Sequence, residues 1–280
     1  MILALGKNGQ LAKEFQQINQ REIIYLSSTE LDLTCLNSIK LKLESYHPKI
    51  VLNFTAYNFV DQAEEDRDNE LINSLALKEI AEYCNAKNII LIHISTDYVF
   101  DGLKGNYSET DSVNPINAYG KAKLSGENFI RDICKKYFII RTSWLYSLHG
   151  RNFLTTIINL HKNERDFKGA DDLIGTPTSA RSLAAAINHL IQNINIEYGT
   201  YHFANMGMVS KYSFLKVIVD RLSQEQNMER KNILRVKNED FKMIAKRPYN
   251  TCLNSEKFTH KFKYKIPKWE EELHSIMDQI

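Results

Sequence analysis

A tyrosine and a lysine on one face of a predicted helix are the best candidates for chemistry in this sequence. Tyr119 and Lys123 stand four positions apart in the segment NAYGKAKLSGE, so both side chains lie on the same helical face. A free tyrosine has a pKa of about 10 and donates protons poorly at neutral pH. A neighbouring ammonium favours the phenolate and lowers that pKa, so the pair could act as a general acid when a carbonyl is reduced.

A hydroxyl group is expected beside this pair. Thr96 or Ser95 ends the predicted strand LIHIST, and parallel sheets bind their ligands at the carboxyl ends of strands. Either hydroxyl could stabilise negative charge that develops on a carbonyl oxygen. A tyrosine and a lysine at this spacing are also common on helix surfaces, so the catalytic interpretation needs further support from the chain.

That support comes from the turn GKNGQLA, which follows the first predicted strand and opens the first helix. Gly6 permits a tight turn, and Gly9 lets the backbone approach a pyrophosphate at the helix N-terminus. Ala12 stands where the dinucleotide fingerprint has its third glycine, and it is small enough for close packing of helix on strand. The turn predicts a dinucleotide cofactor.

The second predicted strand bears on the choice of cofactor. A carboxylate at its tip favours NAD, whereas its absence admits the 2′-phosphate of NADP. The strand EIIYLSS ends in Ser27 and Ser28, and the acids Glu30 and Asp32 follow only later. NADPH and NADH both stay open on this evidence, with NADPH slightly favoured.

The elements that must position these residues alternate between strand and helix. Further strands are predicted for KIVLNFTAYN, NIILIHIST and YFIIRTSWLY, with amphipathic helices between them. This alternation is typical of a Rossmann-type α/β fold with a doubly wound parallel sheet. The rhythm loosens after about Gly150. We expect residues 1–150 to form the dinucleotide-binding domain and residues 151–280 a smaller substrate-binding region, partly interleaved with the sheet.

Composition narrows the function classes. The chain has 280 residues and a formal charge of +2, which argues against a nucleic-acid surface and leaves an anionic small substrate possible. The scattered cysteines form no CxxC pair, so we expect neither a disulfide framework nor a metal site. We also expect no signal peptide and no membrane span, and therefore a cytoplasmic protein.

Several segments together resemble the dTDP-4-dehydrorhamnose reductase family of the extended short-chain dehydrogenase/reductase superfamily. They are GKNGQLAKE, STDYVFDG, NPINAYGKAKLSGE, RTSWLY, the pair Asn152–Phe153, GTPTSARSLA and KRPYNTCLNSEKF, in the family's order and nearly end to end. STDYVFDG together with YGKAKLSGE and RTSWLY is the specific part. The resemblance implies NAD(P)H-dependent reduction of the 4-keto group of dTDP-6-deoxy-L-lyxo-4-hexulose to dTDP-L-rhamnose, for cell-surface polysaccharide synthesis.

The resemblance also assigns roles to individual residues. It implies that Tyr119 donates the proton, that Lys123 lowers the pKa of Tyr119 and holds the nicotinamide ribose, and that Thr96 touches the sugar oxygen. The expected cofactor contacts share three segments after predicted strands: Gly6, Gly9, Gln10 and Leu11; Asp32 and Leu33; Thr55, Ala56 and Tyr57. The remaining expected substrate contacts are Asp97, Trp144 and Arg247. Trp144 could instead be a core aromatic residue, and Arg247 a surface or interface charge.

Two other functions stay open on the sequence. The same fold and residues serve reductases and epimerases of other nucleotide sugars. One branch that resembles this family is a non-catalytic regulatory subunit, although such a subunit has no need of an intact Tyr119, Lys123 and Thr96. The resemblance also makes a homodimer possible, and the expected partner is a nucleotide-sugar substrate.

Overall fold

The computed structural model of the protein describes residues 1–19, 21–161, 166–194, 197–225 and 231–280. Its strands in chain order are β1 Ile2–Leu5, β2 Ile23–Leu26, β3 Ile50–Asn53, β4 Ile90–Thr96, β5 Tyr137–Thr142, β6 Leu145–Tyr146, β7 Asp166–Ala170, β8 Ile174–Gly175, β9 Thr178–Ser179, β10 Gly199–His202, β11 Val209–Ser210 and β12 Asn232–Val236. Its helices are α1 Gln10–Ile18, α2 Leu36–Glu44, α3 Arg67–Glu70, α4 Ala76–Ala86, α5 Ala118–Ile133, α6 Phe153–His161, α7 Ala180–Gln192, α8 Lys211–Glu225, α9 Glu256–Phe262 and α10 Trp269–Met277.

A six-stranded parallel sheet forms the centre of the molecule, in the order β10-β5-β4-β3-β1-β2. Ile2 of β1 pairs with Ile23 of β2 on one side and with Ile50 of β3 on the other. From β1 the chain adds β2 on one side and then β3, β4, β5 and β10 on the other side. This reversal of the strand order is the doubly wound pattern. The predicted Rossmann-type fold class is confirmed.

Both faces of this sheet are covered by apolar side chains, as a parallel sheet requires. On one face, α1 and α7 contribute Phe15 and Leu183 to a core that also contains Ile140 of β5. On the other face, Ile80 of α4 and Ile130 of α5 pack in a second core. The near-continuous apolar runs in the predicted strands reflect this burial on two sides.

The second half of the chain contributes to the sheet and also builds a separate lobe. Strand β10 pairs in parallel with β5, with Tyr201 opposite Ile140, and α7 belongs to the same core as α1. A third core around Phe214 and Leu273 joins α8 and α10, next to the parallel pair β7 and β12. The chain therefore crosses between sheet and lobe. The division at residue 150 stays a prediction.

The predicted strand YFIIRTSWLY is interrupted in the structure. Strand β5 ends at Thr142, and only Leu145–Tyr146 resume extended pairing, with β9. Trp144 lies between them with φ 45°, a left-handed conformation that a strand cannot contain. A second difference lies in the segment NELINSLALKEIAEYCNA, whose spacing predicts one amphipathic helix. In the structure it contains a π-helical turn at Leu71–Leu75 that joins α3 to α4.

Three global features concern membranes, thiols and metals. Among the described residues, no helix is long and apolar enough to cross a bilayer. The cysteines are free, with Cys35 exposed and Cys84, Cys134 and Cys252 buried. Within the same described ranges, no cluster of His, Cys, Asp or Glu side chains has the arrangement of a metal site.

A buried ion pair ties α5 to β5. The guanidinium of Arg141 donates to Glu127 through Nε at 2.9 Å and Nη2 at 2.7 Å, and the two side chains are 3% and 0% exposed. Burial alone would raise the pKa of Glu127, but the charge and hydrogen bonds of Arg141 outweigh it and lower that pKa to about 2. Arg131 contacts the same carboxylate at 2.8 Å from a more exposed position.

Glu127→Gln should therefore destabilise the protein by roughly 3–5 kcal/mol, because it leaves the Arg141 guanidinium buried without a counter-charge. Urea unfolding followed by circular dichroism measures the loss. Arg131→Gln is the matched control and should cost less than about 1 kcal/mol, since the buried pair stays intact. Equal losses in the two variants would show that the buried pair has no special role.

Candidate active site

Two adjoining clefts lie at the carboxyl ends of the parallel strands. The larger cleft has a volume of about 450 Å³ and the smaller one about 270 Å³. Gly9, Phe54, Thr55, Ala56 and Asn58 line both. Their shared wall is at the switch point between β1 and β3, where doubly wound sheets bind dinucleotides.

The glycine turn forms the edge of the smaller cleft. Gly6 has φ +92°, and a Cβ there would come within 3.0 Å of Thr55 Cγ2, so both the turn and the close approach require glycine. Gly9 precedes α1, and no side chain caps the first turn of that helix. The free N–H groups and the helix dipole make this turn suitable for a pyrophosphate.

The acids after β2 are engaged in local hydrogen bonds. Asp32 lines the smaller cleft, and its Oδ1 accepts from the Thr34 backbone N–H at 2.9 Å and the Thr34 hydroxyl at 2.7 Å. Glu30 instead accepts from the Ser27 backbone N–H at 2.9 Å. Ser28 and Leu33 line the same cleft. The tip of β2 therefore offers a hydroxyl to the smaller cleft.

The larger cleft brings together most of the residues predicted from sequence. Besides Gly9, Thr55 and Ala56, those that line it are Gln10, Leu11, Thr96, Asp97, Tyr119, Lys123 and Trp144. Tyr57 and Arg247 line neither cleft. The Tyr57 hydroxyl donates to Asp66 Oδ2 at 2.6 Å, and Arg247 Nη2 pairs with Asp61 Oδ2 at 2.8 Å.

Tyr119 lies in the first turn of α5, which Asn117 caps by accepting from the Gly120 N–H at 2.8 Å. Its side chain is only 8% exposed and packs edge-on against Tyr98. Burial raises the pKa of Tyr119 above its ordinary value, and a hydrogen bond with Thr96 opposes the shift only in part. In the polypeptide alone desolvation dominates the pKa of Tyr119, and the expected lowering by Lys123 stays a prediction.

Lys123 is also buried, with 1% of its surface exposed. Its Nζ donates to the Ile94 carbonyl at 2.8 Å and lies 3.1 Å from His93 Nε2. Burial disfavours the ammonium and lowers the pKa of Lys123 to about 7, while the Glu127 carboxylate acts in the opposite direction. At neutral pH the amine and the ammonium are therefore close in free energy.

Thr96 and Asp97 lie at the end of β4, where a short 3₁₀ turn begins. The Thr96 hydroxyl accepts from the Tyr98 N–H at 3.2 Å and lies 3.1 Å from Asp97 Oδ1. Ser143 donates to Asp97 Oδ2 at 2.9 Å, yet burial raises the pKa of Asp97. Ser95 lines the larger cleft as well, but of the two hydroxyls it is Thr96 that opposes the rise in the pKa of Tyr119.

Trp144 forms one wall of the larger cleft. Its indole lies against Gly175, where any Cβ would overlap the ring, and Lys211 Nζ lies 3.5 Å from the ring centroid on the cleft side. This is cation–π contact. The ring both lines the cleft and packs against the third core, so the substrate contact stays a prediction beside the alternative of a core aromatic.

Three features in or directly behind the larger cleft were not predicted from the sequence. Lys211 carried no signal, because it begins a helix in the region where the strand and helix pattern loosens. Asn152 donates to Gln10 Oε1 at 3.2 Å, and the pair Asn152–Phe153 stood among the resembling segments without a role. His93 did carry a signal, since it is a polar residue inside the apolar run IILIHI.

Comparison with known proteins agrees with this geometry. The model of the family described as RmlD substrate binding domain matches residues 1–280. The chain belongs to this family. A dTDP-4-dehydrorhamnose reductase of Aggregatibacter actinomycetemcomitans is 33% identical over 98% of this chain and 97% of its own. The spore coat polysaccharide biosynthesis protein SpsK of Bacillus subtilis is 33% identical over 99% of this chain and 97% of its own.

A solved structure of a family member gives the same result. A dTDP-4-dehydrorhamnose reductase from Bacillus anthracis, in complex with NADP, superposes with a TM-score of 0.92 at 34% identity, covering 100% of this chain and 99% of its own. The family resemblance stated from the sequence segments is confirmed.

Lys123→Met should change how stability depends on pH. With the folded pKa at about 7 and an unfolded value of about 10.4, the unfolded chain binds more protons between these two values. The penalty for burying Lys123 is therefore complete below pH 7 and is relieved as the pH rises. Relative to the parent protein, the variant should lose about 1 kcal/mol of stability per unit from pH 7 to pH 9.

Urea unfolding of the parent protein and the variant at several pH values measures this difference. Lys121→Met, at an exposed position of the same helix, controls for the substitution itself. Parallel stability curves for the parent protein and Lys123→Met would show that Lys123 is charged throughout.

Proposed function

We propose that this protein uses NAD(P)H to reduce the 4-keto group of a dTDP-6-deoxy-hexulose, giving dTDP-L-rhamnose for cell-surface polysaccharide synthesis. The observation that carries the proposal is the convergence of Tyr119, Lys123 and Thr96 in a cleft that adjoins the glycine turn. The names of the full-length relatives, and the NADP in one of their structures, support it.

The two clefts fit a dinucleotide laid across the ends of β1 and β3. Gly6, Gly9, Gln10 and Leu11 would hold the pyrophosphate, and Asp32 and Leu33 would face the adenine side. Thr55 and Ala56 line both clefts and would lie along the middle of the cofactor. A hydroxyl of Ser28 at the tip of β2, in place of a carboxylate, is the arrangement that admits a 2′-phosphate.

The bound nicotinamide would supply the hydride. Tyr119 would then give its proton to the sugar oxygen. Because burial raises the pKa of Tyr119, the phenol stays protonated until the sugar oxygen gains negative charge. Thr96, which lines the same cleft, would share the interaction with that oxygen. Lys123 as an ammonium would offset the charge that the phenolate acquires, which is the role a nearby cation plays for an anion in a dry site.

The sugar would lie between this group and the wall formed by Trp144. Asp97, held by Ser143 and Thr96, would fix the orientation of a sugar hydroxyl. Lys211 on the indole face adds an amino group to the same wall, and burial lowers its pKa to about 7 while the Asp97 carboxylate opposes the shift. Arg247 keeps its proposed contact with the nucleotide diphosphate, although in this structure it pairs with Asp61.

We also propose that residues 1–150 form a dinucleotide-binding domain and residues 151–280 a substrate-binding region. The protein would be a cytoplasmic homodimer, and Tyr57 would contact the cofactor. A non-catalytic regulatory role is less favoured, because a regulatory subunit has no use for Tyr119, Thr96 and Lys123 gathered in one cleft.

Tyr119→Phe should lower turnover of the dTDP-keto sugar by about 10²–10⁴-fold, because it removes the proton donor while keeping the ring. The absorbance of the reduced nicotinamide follows turnover with NADPH and NADH side by side. NADPH affinity should stay within about twofold of the parent value, since the lost hydroxyl makes few contacts in binding. Tyr137→Phe, at the start of β5 and far from the clefts, is the matched control.

Full turnover in Tyr119→Phe would contradict the proton-transfer role. Sugar conversion without net oxidation of NADPH would instead indicate an epimerase, because epimerisation returns its hydride to the substrate.

Gly175→Ala should push the Trp144 indole into the larger cleft, because the new methyl group would overlap the ring. We expect the KM for the nucleotide sugar to rise about tenfold, which corresponds to a loss of about 1.4 kcal/mol in binding free energy. The affinity for NADPH should not change. Gly169→Ala is the control: its Cβ would meet Tyr212 Cα at 2.7 Å, away from the clefts, so it should lower stability without changing KM. An unchanged KM in Gly175→Ala would mean that Trp144 does not contact the sugar.

A further inference from the structure

Behind the larger cleft, Asn53, His93 and Lys123 form a buried chain of hydrogen bonds across β3, β4 and α5. Asn53 Nδ2 lies 3.1 Å from His93 Nδ1, and His93 Nε2 lies 3.1 Å from Lys123 Nζ. All three side chains are buried. The proposed reduction uses Lys123 but gives no role to Asn53 and His93.

The direction of each hydrogen bond follows from Asn53. Its Oδ1 accepts from the Thr55 backbone N–H at 3.0 Å and from the Thr55 hydroxyl, so its Nδ2, which can only donate, faces His93. His93 Nδ1 must therefore accept. Burial lowers the pKa of His93 well below its ordinary value, and a neutral imidazole with an accepting Nδ1 carries its proton on Nε2.

That proton points at Lys123. An ammonium has three donors and no lone pair, so Nε2–H and an ammonium would face each other as two donors. An amine resolves the conflict, because its lone pair accepts from Nε2–H while one N–H still donates to the Ile94 carbonyl.

We propose that Asn53 and His93 are positioning residues that hold Lys123 as a neutral amine before the cofactor binds, and that protonation of Lys123 moves the His93 proton from Nε2 to Nδ1. In the protonated state His93 Nε2 accepts from the ammonium, and Asn53 must turn its Oδ1 toward Nδ1–H. That rotation takes Oδ1 away from Thr55, which lines both clefts. The charge of Lys123 is thereby coupled to the segment along which the cofactor would lie.

The other groups that face Lys123 do not determine its protonation state, so that role belongs to His93. On α5 itself, Glu127 and the neutral phenol of Tyr119 face the same region. The Glu127 carboxylate would favour an ammonium, but Arg141 of β5 and Arg131 already bind it. From β4 come His93 and the Ile94 carbonyl, and β3 contributes only the uncharged Asn53. The pKa of Lys123, lowered to about 7 by burial, puts the switch in the working range of an enzyme.

The first test needs neither cofactor nor substrate. Long-range ¹H–¹⁵N NMR of histidine side chains distinguishes the two tautomers, and His93→Gln assigns the resonance. We expect the Nε2–H tautomer of His93 in the protein alone at pH 8.5, and the Nδ1–H tautomer at pH 6. Nδ1–H at both pH values would overturn the proposal.

The second test concerns catalysis and rests on the proposed function. Asn53→Asp keeps an acceptor for Thr55 and presents a second acceptor to His93, so it should fix the Nδ1–H tautomer and favour the ammonium. The alkaline limb of the pH profile of kcat/KM should move up by at least about one unit. His161→Gln is the matched control, since His161 is equally buried but bonds Ser223 in the other lobe, and it should leave the limb in place.

An unmoved limb in Asn53→Asp would contradict the proposal. If the protein does not reduce the dTDP-keto sugar at all, the proposed function fails while the tautomer measurement still decides the switch. The same measurement on the parent protein decides it if Asn53→Asp does not fold.

Discussion

The nitrogen of Lys123 lies almost out of contact with water, on the floor of a cleft where three strands end. A charge in such a place is unfavourable unless every neighbour is arranged for it. Here the neighbours are a strand carbonyl, a neutral histidine and the Glu127 carboxylate, which already forms ion pairs with two arginines. As a result, the amine and the ammonium forms of Lys123 are close in free energy at neutral pH. Burial keeps the neighbouring phenol of Tyr119 protonated. Both groups are then able to respond when a ligand brings new charge into the cleft.

The fold produces this arrangement by close packing of α5 on the ends of the sheet. At Gly120 a Cβ would overlap the Tyr98 carbonyl, and at Gly126 it would overlap the Asn73 carbonyl. Gly120 lets the helix approach the turn after β4, where Thr96 lies, and Gly126 lets the helix pack on the π-helical turn before α4. The ion pair between Glu127 and Arg141 then holds the same helix against β5. The sheet determines where these side chains lie, and not the intrinsic acidity of any one of them.

The parts that sequence predicts well are those encoded over short distances. The spacing of Tyr119 and Lys123, the glycine turn and the alternating apolar strands are local patterns, and the structure brings them together at one edge of the sheet. What sequence cannot predict depends on long-range contacts. The sign of the pKa shift of Tyr119 follows from burial, and Lys211 reaches Trp144 from a distant helix. The left-handed conformation of Trp144 likewise depends on its seat against Gly175.

A crystal structure with NADP and a dTDP-sugar bound together would test the proton-donor role of Tyr119. We expect the Tyr119 hydroxyl within hydrogen-bonding distance of the sugar oxygen at C4, with the sugar between the nicotinamide and Trp144 and with Lys123 Nζ at the nicotinamide ribose. A Tyr119 hydroxyl directed away from the nicotinamide, with no space for a sugar between the ring and Trp144, would contradict that role.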